Sequence, residues 1–126
     1  MAKTKPKRDR RRENRIAMEI VVDAHDAGEQ AMAWYSYLEE QLRFPFTASC
    51  IAHRAISPLR VGDEVEVVGM PGEDECLHEM FVTMRWDRKD GLAVPLSQLR
   101  PSRNTDEQTR QAIDDWHYWI AMGYEL

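Results

Sequence analysis

Phe44-Pro45 divides this chain into two periodicities, and that division constrains the fold more than any other feature. A residue before proline is kept out of the helical region, so a helix must stop here. Before the dipeptide, apolar residues recur at helical spacing: Ile16, Ile20 and Val21, then Ala31, Tyr35, Leu38 and Leu42. The spacing predicts helix over 13–43. A break is expected near Asp26 to Gly28, with Asp26 as N-cap and Glu29 three residues on. After the dipeptide the period drops to two. Thr47–His53, Glu64–Val68, Met80–Trp86 and Leu92–Val94 read as short strands, with a turn expected over 87–91 at the Asp90-Gly91 pair. Leu96–Leu99 reads as a single helical turn. Thr105 and Gln108 have capping-box spacing ahead of an apolar stripe, Ala112, Ile113, Trp116, Trp119 and Ile120. The fold class that follows is α+β: a small antiparallel SH3-like β-barrel or curled sheet flanked by N-terminal and C-terminal helices.

Charge is unevenly distributed. Residues 1–15 hold eight of the 17 basic residues and two of the 22 acids, a surplus of six positive charges, and the remainder carries a deficit of eleven. Residues 1–12 have no apolar side chain beyond Met1 and Ala2 and are expected to form a disordered basic arm before a single domain over 13–126. Such an arm suits a nucleic-acid or protein partner, but it lacks interleaved aromatics for base stacking. An acidic body instead concentrates cations. No run approaches the apolar length of a membrane span, and no apolar segment follows the basic residues as in a secretory signal. A cytoplasmic location and reduced cysteines are expected.

The densest acidic cluster is Glu73-Asp74-Glu75, with Glu79 close behind, in a loop between two expected strands. Crowded carboxylates repel one another, and a hard dication relieves that repulsion. Calcium takes six to eight oxygen ligands from carboxylates, carbonyls and water. The spaced acids, central glycine and terminal glutamate of an EF-hand are absent. Glu39 and Glu40 at the end of the second helix, and Asp63, Glu64 and Glu66 at the start of a strand, could complete a shell. Strand alternation puts Glu64 and Glu66 opposite Val65 and Val67, where plain solvent exposure suffices for Glu66. Zinc competes through Cys50, His53, Cys76 and His78, but Cys50 and His53 are three apart on a strand and face opposite ways, and Cys50 reads as a small buried hydrophobe. His25, His53, His78 and His117 are scattered, with no nucleophile elbow, phosphate loop or metalloprotease motif, so no enzyme is expected.

Long stretches of the sequence resemble a known family. Ala33-Trp34-Tyr35-Ser36-Tyr37-Leu38-Glu39-Glu40, Phe44-Pro45-Phe46-Thr47-Ala48, Val61-Gly62-Asp63-Glu64-Val65, Glu73-Asp74-Glu75-Cys76, Glu79-Met80-Phe81-Val82, Leu92–Leu99 and Asp115-Trp116-His117-Tyr118-Trp119 are similar to the CcbP-type calcium-binding proteins first named from cyanobacteria. The resemblance implies calcium binding without an EF-hand and a role in buffering or signalling cytosolic calcium. Chemistry and position together nominate Glu40, Asp63, Glu73, Asp74, Glu75 and Glu79 as Ca²⁺ ligands. A protein- or RNA-binding module using the basic arm is the alternative. Calcium uptake is expected to fall below about pH 5, where carboxylates protonate.

Overall fold

The computed structural model describes residues 6–86, 89–124 and 126, with backbone only at 89 and 90. The chain runs α1 (Arg10–Arg15), one π-helical turn (Ile16–Ile20), α2 (Ala27–Gln41), β1 (Phe46–Cys50), β2 (Glu64–Gly69), a 3₁₀ turn (Glu73–Cys76), β3 (Phe81–Trp86), β4 (Lys89–Pro95), a second 3₁₀ turn (Leu96–Gln98), β5 (Leu99–Pro101) and α3 (Glu107–Ala121). The five strands form one antiparallel sheet in the order β4-β3-β2-β1-β5. β4 and β5 are its two edges, so the sheet is curled rather than closed. The expected helix–sheet order holds. No helix among the described residues is long and apolar enough to cross a membrane.

Aromatic side chains join the helices over the sheet. Trp34 of α2 is fully buried, with ring centroids 5.2 Å from Trp116 and 5.5 Å from Trp119 of α3. Edge-to-face contacts of this kind add to the area they bury. Leu38, Ile113, Val67, Val82, Met84 and Leu99 complete the core beneath them. Val65 and Val67 point inward, while Glu66 faces outward and pairs with Arg85 across the strands at 3.0 Å.

Helix caps set the boundaries. The Asp26 carboxylate accepts the Glu29 amide at 2.8 Å, as the sequence predicts. The break lies earlier than expected, because Val21 to Asp26 leave the helix and Gly28 falls inside the first turn of α2. α2 ends at Gln41, ahead of the Phe44-Pro45 peptide, which is cis. At α3 the cap is Asp106, not Thr105. Its carboxylate accepts both the Thr109 amide (2.9 Å) and the Thr109 hydroxyl (2.8 Å), whereas Thr105 shares a hydrogen bond with Ser102. Those two donors hold the Asp106 carboxyl below the usual aspartate value, against burial that pushes it up.

Two expectations need correction. Asp90-Gly91 belongs to β4 rather than to a turn. The register steps from Met84↔Leu92 to Arg85↔Asp90, which leaves Gly91 as an extra residue at φ +109°, the signature of a bulge. Lys89 of that expected turn also lies in β4, and Asp87 and Arg88 lie outside the described residues. The basic segment is also ordered sooner than the boundary at residue 12 implies. Asp9 caps α1 by accepting the Arg12 amide at 2.9 Å. Arg15 donates to Asp115 of α3, Arg12 lies 3.5 Å from the same carboxylate, and Tyr37 of α2 donates to its other oxygen at 2.9 Å. Asp115 is fully buried. A counter-charge about a hundred residues away thus fixes the helix start, and no local pattern reveals it. Residues 1–5 of the arm lie outside the described residues.

Candidate metal centre

Tyr35 and Glu39 are one helical turn apart on α2, so they share a face. That face looks onto the 3₁₀ turn Glu73–Cys76. The Tyr35 hydroxyl donates to the Pro71 carbonyl at 2.7 Å and so ties α2 to the segment entering the turn. Burial pushes the Tyr35 phenol up to about 12; the hydrogen bond and charge of Glu39, and then the charges of Cys76 and Glu73, push the same way.

Within the turn, Glu73, Asp74 and Glu75 are all exposed, and Cys76 is buried. The Cys76 sulfur accepts the Phe81 amide at 3.4 Å and anchors the end of the turn, and burial pushes its thiol up. Gly72 precedes the acids. A side chain there would place its Cβ 2.8 Å from Oδ1 of Asp74, so the aspartate folds back over the glycine. Among the described residues, no three His, Cys, Asp or Glu side chains already converge as a metal-binding set.

The other nominated acids sit differently. Glu79 is gripped by Arg54 through two bonds of 2.7 and 2.8 Å and also accepts from Ser97 at 3.2 Å. Asp63 accepts the Arg60 amide at 2.8 Å and caps its own turn. β2 lies between Asp63 and the acidic turn, and six residues at about 3.3 Å each span roughly 20 Å. Glu40 is exposed and is rotated about 100° around α2 from Glu39. Glu39, not Glu40, shares the face of α2 that carries Tyr35 and its bond to Pro71. The spacing of four from Tyr35 is the signal that would have chosen between them. Cys50 is buried, and its thiol donates to the Ala52 carbonyl at 3.2 Å; both cysteines are free.

The available donors are hard oxygens: four carboxylates and a carbonyl with one lone pair still open. They match calcium and not zinc, because the one sulfur nearby is buried and engaged. A family profile described as calcium binding matches residues 14–120. The chain belongs to the CcbP calcium-binding family. The crystal structure of Anabaena CcbP is similar throughout, with 40% identity, a TM-score of 0.83 and full coverage of both chains. A calcium-binding protein solved in its calcium-binding form is 39% identical over 94% of this chain and 96% of its own, with a TM-score of 0.82. No curated protein matches the chain. Within the CcbP family, then, this member carries its acids on an exposed 3₁₀ turn tied to α2 by a phenol.

Proposed function

We propose that this CcbP-family chain binds Ca²⁺ where α2 meets the acidic 3₁₀ turn, through Glu39, Glu73, Asp74 and Glu75, with the Pro71 carbonyl and water completing the shell. The observation that carries this reading is the Tyr35–Pro71 hydrogen bond, which holds the face of α2 that bears Glu39 against the segment entering the acidic turn. Repulsion among these carboxylates raises the energy of the ion-free turn, and a dication offsets it. Because the side chains are exposed and not yet gathered, binding includes a local rearrangement of the turn, which suits the variable geometry that calcium accepts better than the strict octahedron of magnesium. Glu79, Asp63 and Glu40 stand outside the shell for the reasons given by their partners and positions. Reversible uptake by such a site would serve to buffer or signal cytosolic calcium.

Calorimetric titration of the full chain with Ca²⁺ and Mg²⁺ tests the assignment. The wild type should take up calcium in preference to magnesium. A variant carrying Glu73→Gln, Asp74→Asn and Glu75→Gln should lose most of that uptake while keeping the wild-type circular dichroism spectrum. Undiminished calcium uptake in the triple variant would remove the turn from the site.

A further inference from the structure

The basic segment that opens the chain takes no part in the calcium site, and the structure divides its cations into two sets. Arg12 and Arg15 turn inward to the buried carboxylate of Asp115. Arg8 pairs with Glu13 at 3.2 Å, and Glu13 also accepts the Tyr118 hydroxyl at 2.6 Å. Asp9, the one acid between Lys3 and Arg12, is engaged at the helix start, where it caps the Arg12 amide. Lys7, Arg10 and Arg11 differ. All three are exposed, and among the described residues none of them has an ion pair or a side-chain hydrogen bond. Lys3 and Lys5 precede them in the sequence. Five of the eight cations are therefore left over once the protein's own carboxylates are assigned.

Helix geometry gathers the leftover charge on one side. Ile16 and Ile20 face the core, and Arg12 and Arg15 lean toward α3 on the same inward half. Arg10 and Arg11 lie four and three residues before Asn14, so the three share the outward half, and all are exposed. Past residue 15 the chain carries eleven surplus negative charges. That body repels other anions, which confines any anionic partner to this face.

We propose that this basic face binds the phosphate backbone of duplex nucleic acid without reading its sequence. A duplex is a dense line of negative charge, and cations laid along it release condensed counterions. Arginine adds forked hydrogen bonds that match phosphate oxygens. A single strand fits less well, because residues 1–20 hold no aromatic side chain on which a base would stack. An anionic lipid surface also fits less well. It requires an apolar stripe on the same helix, and here Ile16 and Ile20 are already buried in the core, which leaves only Met18 and Val22 exposed. The proposal is independent of the calcium site, and its test is run without calcium.

The experiment is fluorescence anisotropy of a labelled DNA duplex of about 20 base pairs, titrated with calcium-free full chain at roughly 50 to 200 mM NaCl. Each phosphate neutralised adds about −0.9 to the slope of log affinity against log salt. Five cations predict a slope of about −4.5, or roughly a 500-fold loss over that range, whereas all eight would give about −7. Arg10→Gln with Arg11→Gln should bring the slope to about −2.7 and weaken binding at about 100 mM salt by ten-fold or more. Arg60→Gln with Arg100→Gln removes the same charge at exposed positions outside the segment and should leave the slope at about −4.5. A second duplex of unrelated sequence should bind equally. Absence of duplex binding at about 50 mM salt with chain up to about 100 µM, equal weakening by the two double variants, or a slope near −7 would each overturn the proposal. So would tighter binding to phosphatidylglycerol vesicles than to the duplex, or self-association of the chain through this segment in place of duplex binding.

Discussion

Replacing Asp115 by Asn isolates the contact that fixes the N-terminal helix. Asp115 is fully buried and faces Arg15, Arg12 and the Tyr37 hydroxyl, while the two arginine side chains are only 24% and 28% exposed. Burial pushes the carboxyl up, and Arg15 and Tyr37 pull against it without fully reversing the shift, so its value stays above that of an ordinary aspartate. The ionised cluster is therefore a poor source of net stability. Removing its charge is nonetheless costly, because Arg15 loses its counter-charge in a part-buried site and Arg12 keeps only Asp9 at 3.8 Å, a situation that costs about 3 kcal/mol or more. Against a typical total of about 5–15 kcal/mol that is a large fraction, and for a chain of this size it corresponds to a drop in Tm of roughly 10 °C. Urea unfolding followed by circular dichroism measures it. Adding Arg12→Met and Arg15→Met to the Asn variant should recover at least half of the loss, since the stranded charges are then gone. A single variant within about 0.5 kcal/mol of wild type would refute the reasoning, as would a triple variant no better than the single.

Three further outcomes follow from particular groups. His117 donates from Nε2 to the Leu96 carbonyl at 3.2 Å, and burial holds its imidazole below 6.5, so the unfolded chain binds protons that the folded chain does not. Stability should accordingly fall as pH drops below 6.5, and His117→Gln should flatten that slope in urea titrations at several pH values. Asp106→Ala should cost about 1 kcal/mol by removing the cap of α3, and the wild-type contribution of this depressed carboxyl should be present above pH 3.8 and fade below it. Tyr35→Phe should cost about 1 kcal/mol through its bond to Pro71. Because the folded phenol titrates higher than the unfolded one, wild-type stability should decline between pH 10.0 and about 12, and the variant should lose that part of the decline.

The elements with strong periodicity were legible in the sequence: α2 with its Asp26 cap, the Glu64–Val68 alternation, and the tryptophan face of α3. Each is a local signal that tertiary packing reinforces. What escaped depended on distance or on small angles. The start of α1 depends on Asp115, far along the chain. The Asp90-Gly91 pair carries the same glycine preference whether it makes a turn or a bulge, so only strand register distinguishes the two. At the proposed calcium site, Glu73, Asp74 and Glu75 announce themselves by density. Choosing Glu39 over Glu40 requires knowing that Tyr35 faces the turn, and the commitment of Glu79 to Arg54 joins two loops that no spacing rule connects.

The comparison that bears most directly on the two-element calcium site is a matched pair of adjacent substitutions, Glu39→Gln and Glu40→Gln, each titrated with Ca²⁺ by calorimetry beside the wild type. Both remove one negative charge from neighbouring positions on α2, so a general electrostatic effect would weaken them equally. A site at the α2–turn junction predicts about ten-fold or greater loss for Glu39→Gln and little change for Glu40→Gln. Equal affinities in the two variants, or a larger loss at Glu40, would contradict it.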